Sequence, residues 1–478
     1  MKTGSWHFLS ASVNLVGFVV MALCANFWSN HLQQLHENDM WFSNIKEVER
    51  EISFRTEQGF YYSYYKQLIK ATSLPQGFQD LCQDNATEHG HTINVWKRFN
   101  LYQELVLATI HKLVSFNMEP IMFYVEVVFS LQGFHAAMLF LLSWQLSGTW
   151  LSGVLSICLM LVHRSEITRV SYTVPLREHF SLPFFYAMIV SISRFLNFGS
   201  SQKKAKQNFW ATKEFHLVQI YVMTFLFVIT WQFAQFAILL HSLMCFALAT
   251  SGLLNKDRVS NVLSVHFCAI LCVWYCQFYQ PMVINSLAVS FIPQAILSLQ
   301  SQMDEPAKLR QNGVLRNVGR VAVRIGLVLI ATLALNTMMK TLLGQADDNH
   351  IFQFVASWLG FQDETDFDTR LYRCLAAFKP LGWAMYEKLA SNGALLVYFL
   401  YLAAQLVFMF LTLCRQWYVK EKNEEQNGHQ KKTEKNTNWF TDWLEKLHSD
   451  VNLNFIVTMD QSPALVYNFG KLFQERCC

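Results

Sequence analysis

The sequence predicts an all-α membrane protein with about ten transmembrane helices. Three observations predict this fold class: a shortage of charged residues, apolar stretches long enough to cross a bilayer, and basic residues gathered in alternate loops. Only 15% of the 478 residues are charged and 53% are hydrophobic, whereas soluble proteins carry roughly 25% charged residues. This composition excludes an ordinary cytosolic enzyme and a disordered chain. The net charge of +4 gives no reason to expect a nucleic-acid partner.

A transmembrane helix needs about 20 apolar residues, because the hydrocarbon core of a bilayer is about 30 Å thick. Six apolar stretches are candidates for single crossings: residues 8–28, 121–144, 150–163, 182–198, 325–339 and 394–414. Two longer blocks, 216–254 and 259–303, contain no Asp, Glu, Lys or Arg, and each has the length of two helices. Pro281 predicts the break in the second block, whereas the first block offers only Gln232 and Gln235. The count is therefore ten crossings, with eight as the alternative.

Basic residues collect in three loops between these stretches, namely residues 203–213, 308–320 and 420–435. All three fall on one side of the membrane when the helices alternate in direction. Short cytoplasmic loops are where Lys and Arg accumulate, so this side is predicted to be cytoplasmic. The eight-crossing alternative leaves the side assignments unchanged.

The predicted organisation has four parts. They are a first transmembrane helix in residues 1–28, a lumenal segment with amphipathic helices in 29–120, a transmembrane bundle in 121–414 with lumenal loops 164–181 and 344–392, and a charged cytoplasmic tail in 415–478. The first apolar stretch has an alternative interpretation as a cleaved signal peptide, because small residues lie near its end. Under both interpretations residues 29–120 lie outside the cytosol.

The segment 29–120 contains the single glycosylation sequon of the chain, Asn85-Ala86-Thr87. Asn85 is therefore the predicted acceptor of an N-linked glycan. Metal ligands do not stand out: Cys268, Cys272 and Cys276 share one helical face, but no His or carboxylate accompanies them at matching spacing. We interpret these cysteines as core residues and predict no metal site.

Charged side chains gather in 29–120 just before an aromatic run at residues 60–65. They include Glu49, Glu51, Arg55 and Glu57. Glu51 and Arg55 have the i,i+4 spacing of a weak ion pair on a solvated helix, which is the simplest interpretation. The neighbouring aromatic residues favour a position at the membrane interface instead. A carboxylate beside aromatic rings can have a raised pKa and act as a general base.

A second polar cluster lies between the third and fourth predicted crossings and contains Arg169, Arg177, Glu178 and His179. Arginines on the side that usually avoids positive charge either pair with Glu in the same loop or bind an anion. A guanidinium fork matches phosphate geometry, which makes a phosphate or pyrophosphate the predicted ligand. His179 is predicted to orient a neighbour or to face water.

Two ionisable residues lie inside a predicted crossing, Glu126 and His135. A transporter with these two residues as a proton relay is an alternative function. The sequence favours it less, because most charges lie outside the bilayer and paired helices broken by Gly or Pro are absent from the sequence.

Several ordered motifs resemble the dumpy-19-like protein C-mannosyltransferase family. Residues 41–44, 49–57 and 61–66 resemble the first lumenal loop of that family. Its further signatures are similar to Arg98-Phe99-Asn100-Leu101-Tyr102, Thr168-Arg169-Val170 and Pro175-Leu176-Arg177-Glu178. The resemblance runs from about residue 38 to about residue 415. This chain departs from the family at Gln103, where many relatives have Pro, and it is C-terminally short relative to the family.

The resemblance implies a GT-C-type glycosyltransferase in the endoplasmic reticulum membrane, with its active site facing the lumen. Such an enzyme moves mannose from dolichol-phosphate-mannose to indole C2 of a tryptophan in W-x-x-W or W-x-x-C motifs. The implied partners are the lipid-linked donor, membrane lipids, and unfolded secretory polypeptides with thrombospondin-type repeats. No tightly bound cofactor is implied. The shorter C-terminus leaves an alternative, a truncated non-catalytic anchor or scaffold in the endoplasmic reticulum or nuclear envelope.

The family pattern also implies roles for individual residues. Glu57 is the implied base, with Glu51 and Glu49 as the next candidates, because the indole C2 proton must go to a base. Arg177 and Arg169 are the implied binders of the donor phosphate, whose charge develops as the sugar leaves. The implied supporting residues are Glu178, Arg55 paired to a carboxylate, His179 and Tyr102.

Overall fold

The computed structural model describes residues 2–41, 45–114, 118–164, 168–197, 212–303, 314–343, 360, 383–391 and 394–427. Most of the basic loops, of the predicted loop 344–392 and of the predicted tail lie outside these ranges. Within them the regular structure is helical, apart from one isolated β-bridge between Asp84 and Ile93. The all-α prediction is confirmed.

In chain order the helices are α1 (Lys2–Met40), α2 (Glu47–Ile52), α3 (Glu57–Lys70), α4 (Leu74–Cys82), α5 (Val95–Arg98), α6 (Tyr102–Val114), α7 (Pro120–Ser147), α8 (Trp150–Val162), α9 (Arg177–Asn197), α10 (Lys213–Thr230), α11 (Ala234–Ser251), α12 (Lys256–Cys276), α13 (Pro281–Ile284), α14 (Leu287–Met303), α15 (Val314–Leu342), α16 (Trp383–Ser391) and α17 (Ala394–Asn427).

Eight spans in the described residues are long and apolar enough to cross a membrane: Asn14–Met40, Pro120–Ser147, Arg177–Asn197, Lys213–Thr230, Ala234–Ser251, Lys256–Cys276, Pro281–Gln302 and Val318–Leu342. Two shorter apolar segments, Trp150–Val162 and Tyr398–Leu413, occupy the remaining predicted crossings. Each long uncharged block holds two helices, as predicted. The first block breaks at residues 231–233, and the second breaks just before Pro281.

Three predicted helix bounds differ from the structure. α1 continues to Met40, beyond the predicted end at Trp28, and Trp28 and Leu32 are buried in the core, so packing extends this helix. α9 begins at Arg177, whereas the sequence predicted a start at Leu182, because the polar residues of its first turn are buried and paired. α17 continues past residue 414 to Asn427.

The chain divides into two compact units, one of Met1–Ile238 with Asn261–Ile284 and one of Leu239–Ser260 with Asn285–Cys478. In the first unit α7 packs against α1, α8 and α9, and α9 packs against α10. In the second unit α14 packs against α15.

A hydrogen bond in the second unit lies at the break before α14. The side-chain amide of Asn336 donates to the carbonyl of Asn285, 2.7 Å away and two residues before α14 begins. The amide of Asn336 therefore provides a hydrogen bond to the backbone at the break in this span.

Residues 45–114 are fixed to the ends of transmembrane helices in the first unit. The amide of Asn100 donates to the carbonyl of Ile229 at 2.8 Å, and the amide of Gln103 donates to the carbonyl of Thr230 at 3.3 Å. The Tyr102 hydroxyl donates to the carbonyl of Cys276. These carbonyls belong to the last turns of α10 and α12, where a helix leaves its C=O groups unpaired. The ends of α10 and α12 thus lie on the same side as residues 45–114, as the alternating ten-crossing arrangement predicts.

α1 and α7 approach closely at Gly133. A Cβ atom there would lie 3.0 Å from the carbonyl oxygen of Ala25 and 3.3 Å from Cβ of Ser29. The Ser29 hydroxyl donates to the carbonyl of Phe129 at 2.9 Å beside this contact. Small residues at such crossings allow two transmembrane backbones to pack without clash.

We expect Gly133→Leu to separate α1 from α7 and to destabilise the protein by about 1–3 kcal/mol. The measurement is the thermal unfolding midpoint of the purified protein in detergent. Gly326→Leu is the matched control, because Gly326 lies in the span Val318–Leu342 and has no atom within 4 Å of a built Cβ. Equal midpoints for the two variants would show that the α1–α7 contact at Gly133 has no such role.

Candidate functional site

Glu57 is the first residue of α3 and follows a strained turn. The backbone N–H of Gln58 donates to the carbonyl of Arg55 at 3.1 Å, and Thr56 between them has φ 51° and ψ −123°. These angles are those of the first central position of a type II′ turn, which normally holds Gly. A β-branched residue with positive φ is strained, and such strain clusters at functional sites.

The start of α3 also needs a glycine at position 59. A Cβ on Gly59 would lie 2.7 Å from the carbonyl oxygen of Phe54. The turn and this close approach together fix where Glu57 stands. At the first position of a helix, the unpaired N–H groups favour a negative charge. The Glu57 side chain is only partly buried, so it is reachable from outside.

Tyr61 lies one turn after Glu57, and its ring contacts Arg177. The charge of Glu57 acts on the Tyr61 hydroxyl. Cζ of Arg177 lies 3.7 Å from the centre of the Tyr61 ring, within the range of a cation–π contact. Burial raises the pKa of Tyr61 far above its usual range, and the charge of Glu57 adds to the rise while Arg177 opposes it. The hydroxyl therefore keeps its proton.

Arg177 forms a buried, two-pronged ion pair with Glu104 of α6. Its two terminal nitrogens lie 2.7 Å and 2.5 Å from the Glu104 oxygens, and the side chains are 5% and 0% exposed. The same two Arg177 nitrogens also donate to the carbonyls of Asn100 and Pro175, at 2.7 Å and 2.9 Å. The Tyr124 hydroxyl donates to Glu104 at 2.9 Å. The guanidinium fork that we predicted for a phosphate thus holds a carboxylate here.

Arg169 and Glu178 form a second ion pair. The distance is 2.8 Å, and the side chains are 11% and 8% exposed. Glu178 therefore contacts one of the two arginines that it was predicted to orient. His179 is buried and does not face water: its Nε2 lies 3.0 Å from the Thr173 hydroxyl.

Three other predicted residues have local structural contacts. Glu51 accepts from Lys66 at 2.5 Å on both oxygens and from the Tyr62 hydroxyl at 3.0 Å. Glu49 accepts from the backbone N–H of Lys46 at 2.8 Å, as a cap of α2. Tyr102 fixes its segment to α12, as described above.

The predicted pairing of Arg55 with a carboxylate is not found among the residues that the structure describes. The Arg55 side chain is exposed, and its predicted partner Glu51 is bonded to Lys66. The partly buried contact with Lys66 excludes more water than an exposed pair on a helix surface would, which accounts for the difference.

The relay residues of the transporter interpretation are far apart. Glu126 is exposed and accepts from the amide of Gln33 at 3.0 Å, whereas His135 is packed against Tyr186, with ring centres 4.6 Å apart. Nine residues of helix separate Glu126 from His135 by about 13 Å along the axis. The described part of the chain contains no group of three or more His, Cys, Asp or Glu residues that could hold a metal ion.

Sequence reasoning missed Glu104. It lies 73 residues from Arg177 in sequence, so no local spacing indicates the pair. The available signal is its position on the buried face of α6, together with Leu107 and Ala108 three and four residues later. A carboxylate on an apolar helix face requires a cationic partner elsewhere in the fold.

Known proteins are similar to this chain over most of its length. A family model described as "Dpy19: Q-cell neuroblast polarisation" matches residues 22–473. The Caenorhabditis elegans protein named "C-mannosyltransferase dpy-19" is 32% identical over 416 residues, which cover 81% of this chain and 57% of that protein. The human "Probable C-mannosyltransferase DPY19L4" is 27% identical over 403 residues, which cover 84% of this chain and 54% of that protein.

The mouse protein named "Protein C-mannosyl-transferase DPY19L1" is 30% identical over 388 residues, which cover 73% of this chain and 48% of that protein. This chain therefore spans about half the length of the curated relatives that it matches.

Proposed function

Because the chain belongs to the Dpy19 family, we propose that it is a glycosyltransferase that transfers mannose to indole C2 of a tryptophan. The donor is dolichol-phosphate-mannose, and no tightly bound cofactor takes part. The acceptor is a secretory polypeptide with a W-x-x-W or W-x-x-C motif, such as an unfolded thrombospondin-type repeat. The relatives described above are named C-mannosyltransferases, which supports the C-mannosyl transfer.

The observation that carries this proposal is that Tyr61 lies close to both residues: the Arg177 guanidinium contacts its ring, and Glu57 lies one turn earlier on α3, where its charge acts on the Tyr61 hydroxyl. In the reaction, the bond between mannose C1 and the phosphate oxygen breaks and its electron pair leaves with the phosphate. Indole C2 then bonds to C1, and the C2 proton passes to the Glu57 carboxylate, which restores the aromatic ring. A partly exposed carboxylate at a helix N-terminus, beside buried aromatic residues, has the properties of such a base.

The donor phosphate is assigned to Arg169 ahead of Arg177. All terminal N–H groups of Arg177 face acceptors inside the protein, and its side chain is 5% exposed. The side chain of Arg169 is 11% exposed, and a phosphate has more charge than the single carboxylate of Glu178 with which it would compete. Arg177 then acts through Glu104 and Tyr61, by holding them in place.

The test is expression in cells that lack C-mannosylation, together with a secreted W-x-x-W reporter. Mass spectrometry should find one hexose on the first tryptophan of the motif, with fragment ions that keep the sugar on the ring carbon. An unmodified reporter, with the protein present in membranes, would favour the non-catalytic anchor or scaffold instead.

The site is assigned to the lumenal face of the endoplasmic reticulum membrane, and Asn85 reports on that assignment. Asn85 is exposed, beside an open groove of about 590 Å³. Asp84 accepts from the backbone N–H of Thr87 at 3.0 Å, which holds the sequon in a turn. The Thr87 hydroxyl, on which sequon recognition depends, lies 2.6 Å from the Tyr64 hydroxyl.

We expect Asn85 to carry an N-linked glycan. Digestion with an N-glycosidase should increase the gel mobility of the wild-type protein and leave Asn85→Gln unchanged. The described segments 45–114 and 168–176 share one side of the first unit, so the glycan would place Glu57 in the lumen as well. A protein whose mobility does not respond to the glycosidase would contradict the lumenal assignment of Asn85.

A further inference from the structure

The helix α6 lies outside the membrane spans, yet its exposed residues are all apolar. We propose that this exposed face contacts phospholipid, in the bilayer leaflet on the side of residues 45–114, and that α6 is an interfacial helix. The contact is independent of the proposed reaction, because it needs none of the residues assigned to it.

The exposed residues of α6 form one stripe. They are between 39% and 75% exposed, and they are Val106, Ile110, Leu113 and Val114. Steps of four, three and one positions place them on a single face of a helix. The polar residues of α6 are buried or half-buried. The stripe therefore carries neither a charge nor a polar side chain.

The charged side chains of α6 are used inside the protein. Glu104 holds Arg177, as described above. Lys112 donates to the carbonyl of Ala71 at 2.6 Å. A surface helix in water usually directs its polar residues outward and its apolar residues inward. The outward face of α6 has the opposite character, which indicates that its surroundings are not water alone.

The position of α6 places this face beside the bilayer. Gln103, in the first turn of α6, bonds to the carbonyl of Thr230, the last residue of the span Lys213–Thr230. After the other end of α6, residues 115–119 lead to the start of the span Pro120–Ser147. The 13 residues of α6 extend over about 20 Å. The helix is therefore held near the membrane boundary at both of its ends.

The lipid at this boundary suits an uncharged apolar stripe. An amphipathic helix in the interface plane buries its apolar face about 5–10 Å into the zone between headgroups and acyl chains. The apolar side chains of the stripe would leave water in this contact, which is favourable. Because the stripe is uncharged, the contact does not require an anionic lipid.

The experiment is photo-cross-linking of the full chain in liposomes of phosphatidylcholine. The photoreactive residue p-benzoylphenylalanine replaces Leu113 or, in a second variant, Val106. Both side chains are exposed, so we expect both variants to fold. Leu155 is the positive control, since it is 60% exposed in the apolar helix α8. Gln79 is the negative control, because it is exposed and lines the groove beside Asn85.

Intact-mass spectrometry after irradiation gives the fraction of the chain that carries one added phospholipid. We expect the probes at Leu113 and Val106 to give a fraction within about threefold of that at Leu155, and at least about tenfold above that at Gln79.

Two results would overturn the proposal. One is a phospholipid adduct at Leu113 and Val106 no more frequent than at Gln79, while Leu155 is cross-linked. The other is cross-linking of the stripe to a second copy of the chain or to another polypeptide, which would make it a protein interface. Neither result depends on mannosyl transfer, so failure of this proposal is distinct from failure of the proposed function.

Discussion

Replacing Glu57 by Gln is expected to abolish mannosyl transfer at every pH, while the protein remains folded and inserted in the membrane. The amide keeps the size of the side chain but cannot accept the indole C2 proton. Loss of a general base costs about 100- to 10,000-fold in rate. The measurement is the hexose content of the W-x-x-W reporter by mass spectrometry, at matched protein levels in membranes.

Glu49→Gln is the control for this variant. Glu49 was the third candidate for the base, and its carboxylate caps α2 outside the cluster around Tyr61. Its amide variant should transfer mannose at the wild-type rate. Full activity in Glu57→Gln would remove Glu57 from the mechanism and return the choice to Glu51, whose present partners are Lys66 and Tyr62.

Replacing Arg177 by Ala is expected to destabilise the protein by about 3–5 kcal/mol, because it leaves a buried charge without its partner. Glu104 has an exposed fraction of 0% and cannot recover the lost pairing with water. The expected result is a low yield of folded protein and a reduced thermal midpoint. A double variant, Arg177→Met with Glu104→Met, removes both charges and should recover much of the stability without restoring transfer, since Tyr61 loses its support.

Arg169→Ala is expected to affect donor binding and not stability, in contrast to Arg177→Ala. The Arg169 side chain is more exposed than that of Arg177, so this variant should fold and should instead require a higher donor concentration. If Arg177→Ala folds normally and only raises KM for the donor, the phosphate belongs to Arg177 and the structural role assigned to it is wrong.

The transmembrane part of the fold could be predicted from the sequence because each span is decided locally. An uncharged block of the length of two helices must turn back once, and Pro281 marks one such turn. The turn at residues 231–233 has no comparable signal. α9 begins earlier than hydropathy predicts, since the polar residues 177–179 become acceptable in a helix only when partners from other segments satisfy them.

The candidate site could be predicted only in part. The motifs around Glu57, Arg169 and Arg177 are continuous in sequence and could be recognised. The partner of Arg177 could not, because the pairing with Glu104 joins residues 73 positions apart through the tertiary fold. The backbone conformation of Thr56 could not be predicted from the sequence either, because its φ of 51° opposes the preference of a β-branched residue.

The hydrogen bonds of Asn100, Gln103 and Tyr102 to the last carbonyls of α10 and α12 fix the segment 45–114 relative to the ends of these two helices. The acceptors of these hydrogen bonds are backbone carbonyls of the protein and not lipid headgroups. We therefore expect Glu57 to keep a fixed distance from the transmembrane helices when the lipid composition changes. Under the proposed function, a thicker or thinner membrane would therefore change the depth of the lipid-linked sugar donor relative to the Glu57 carboxylate, whose position relative to the helices stays the same.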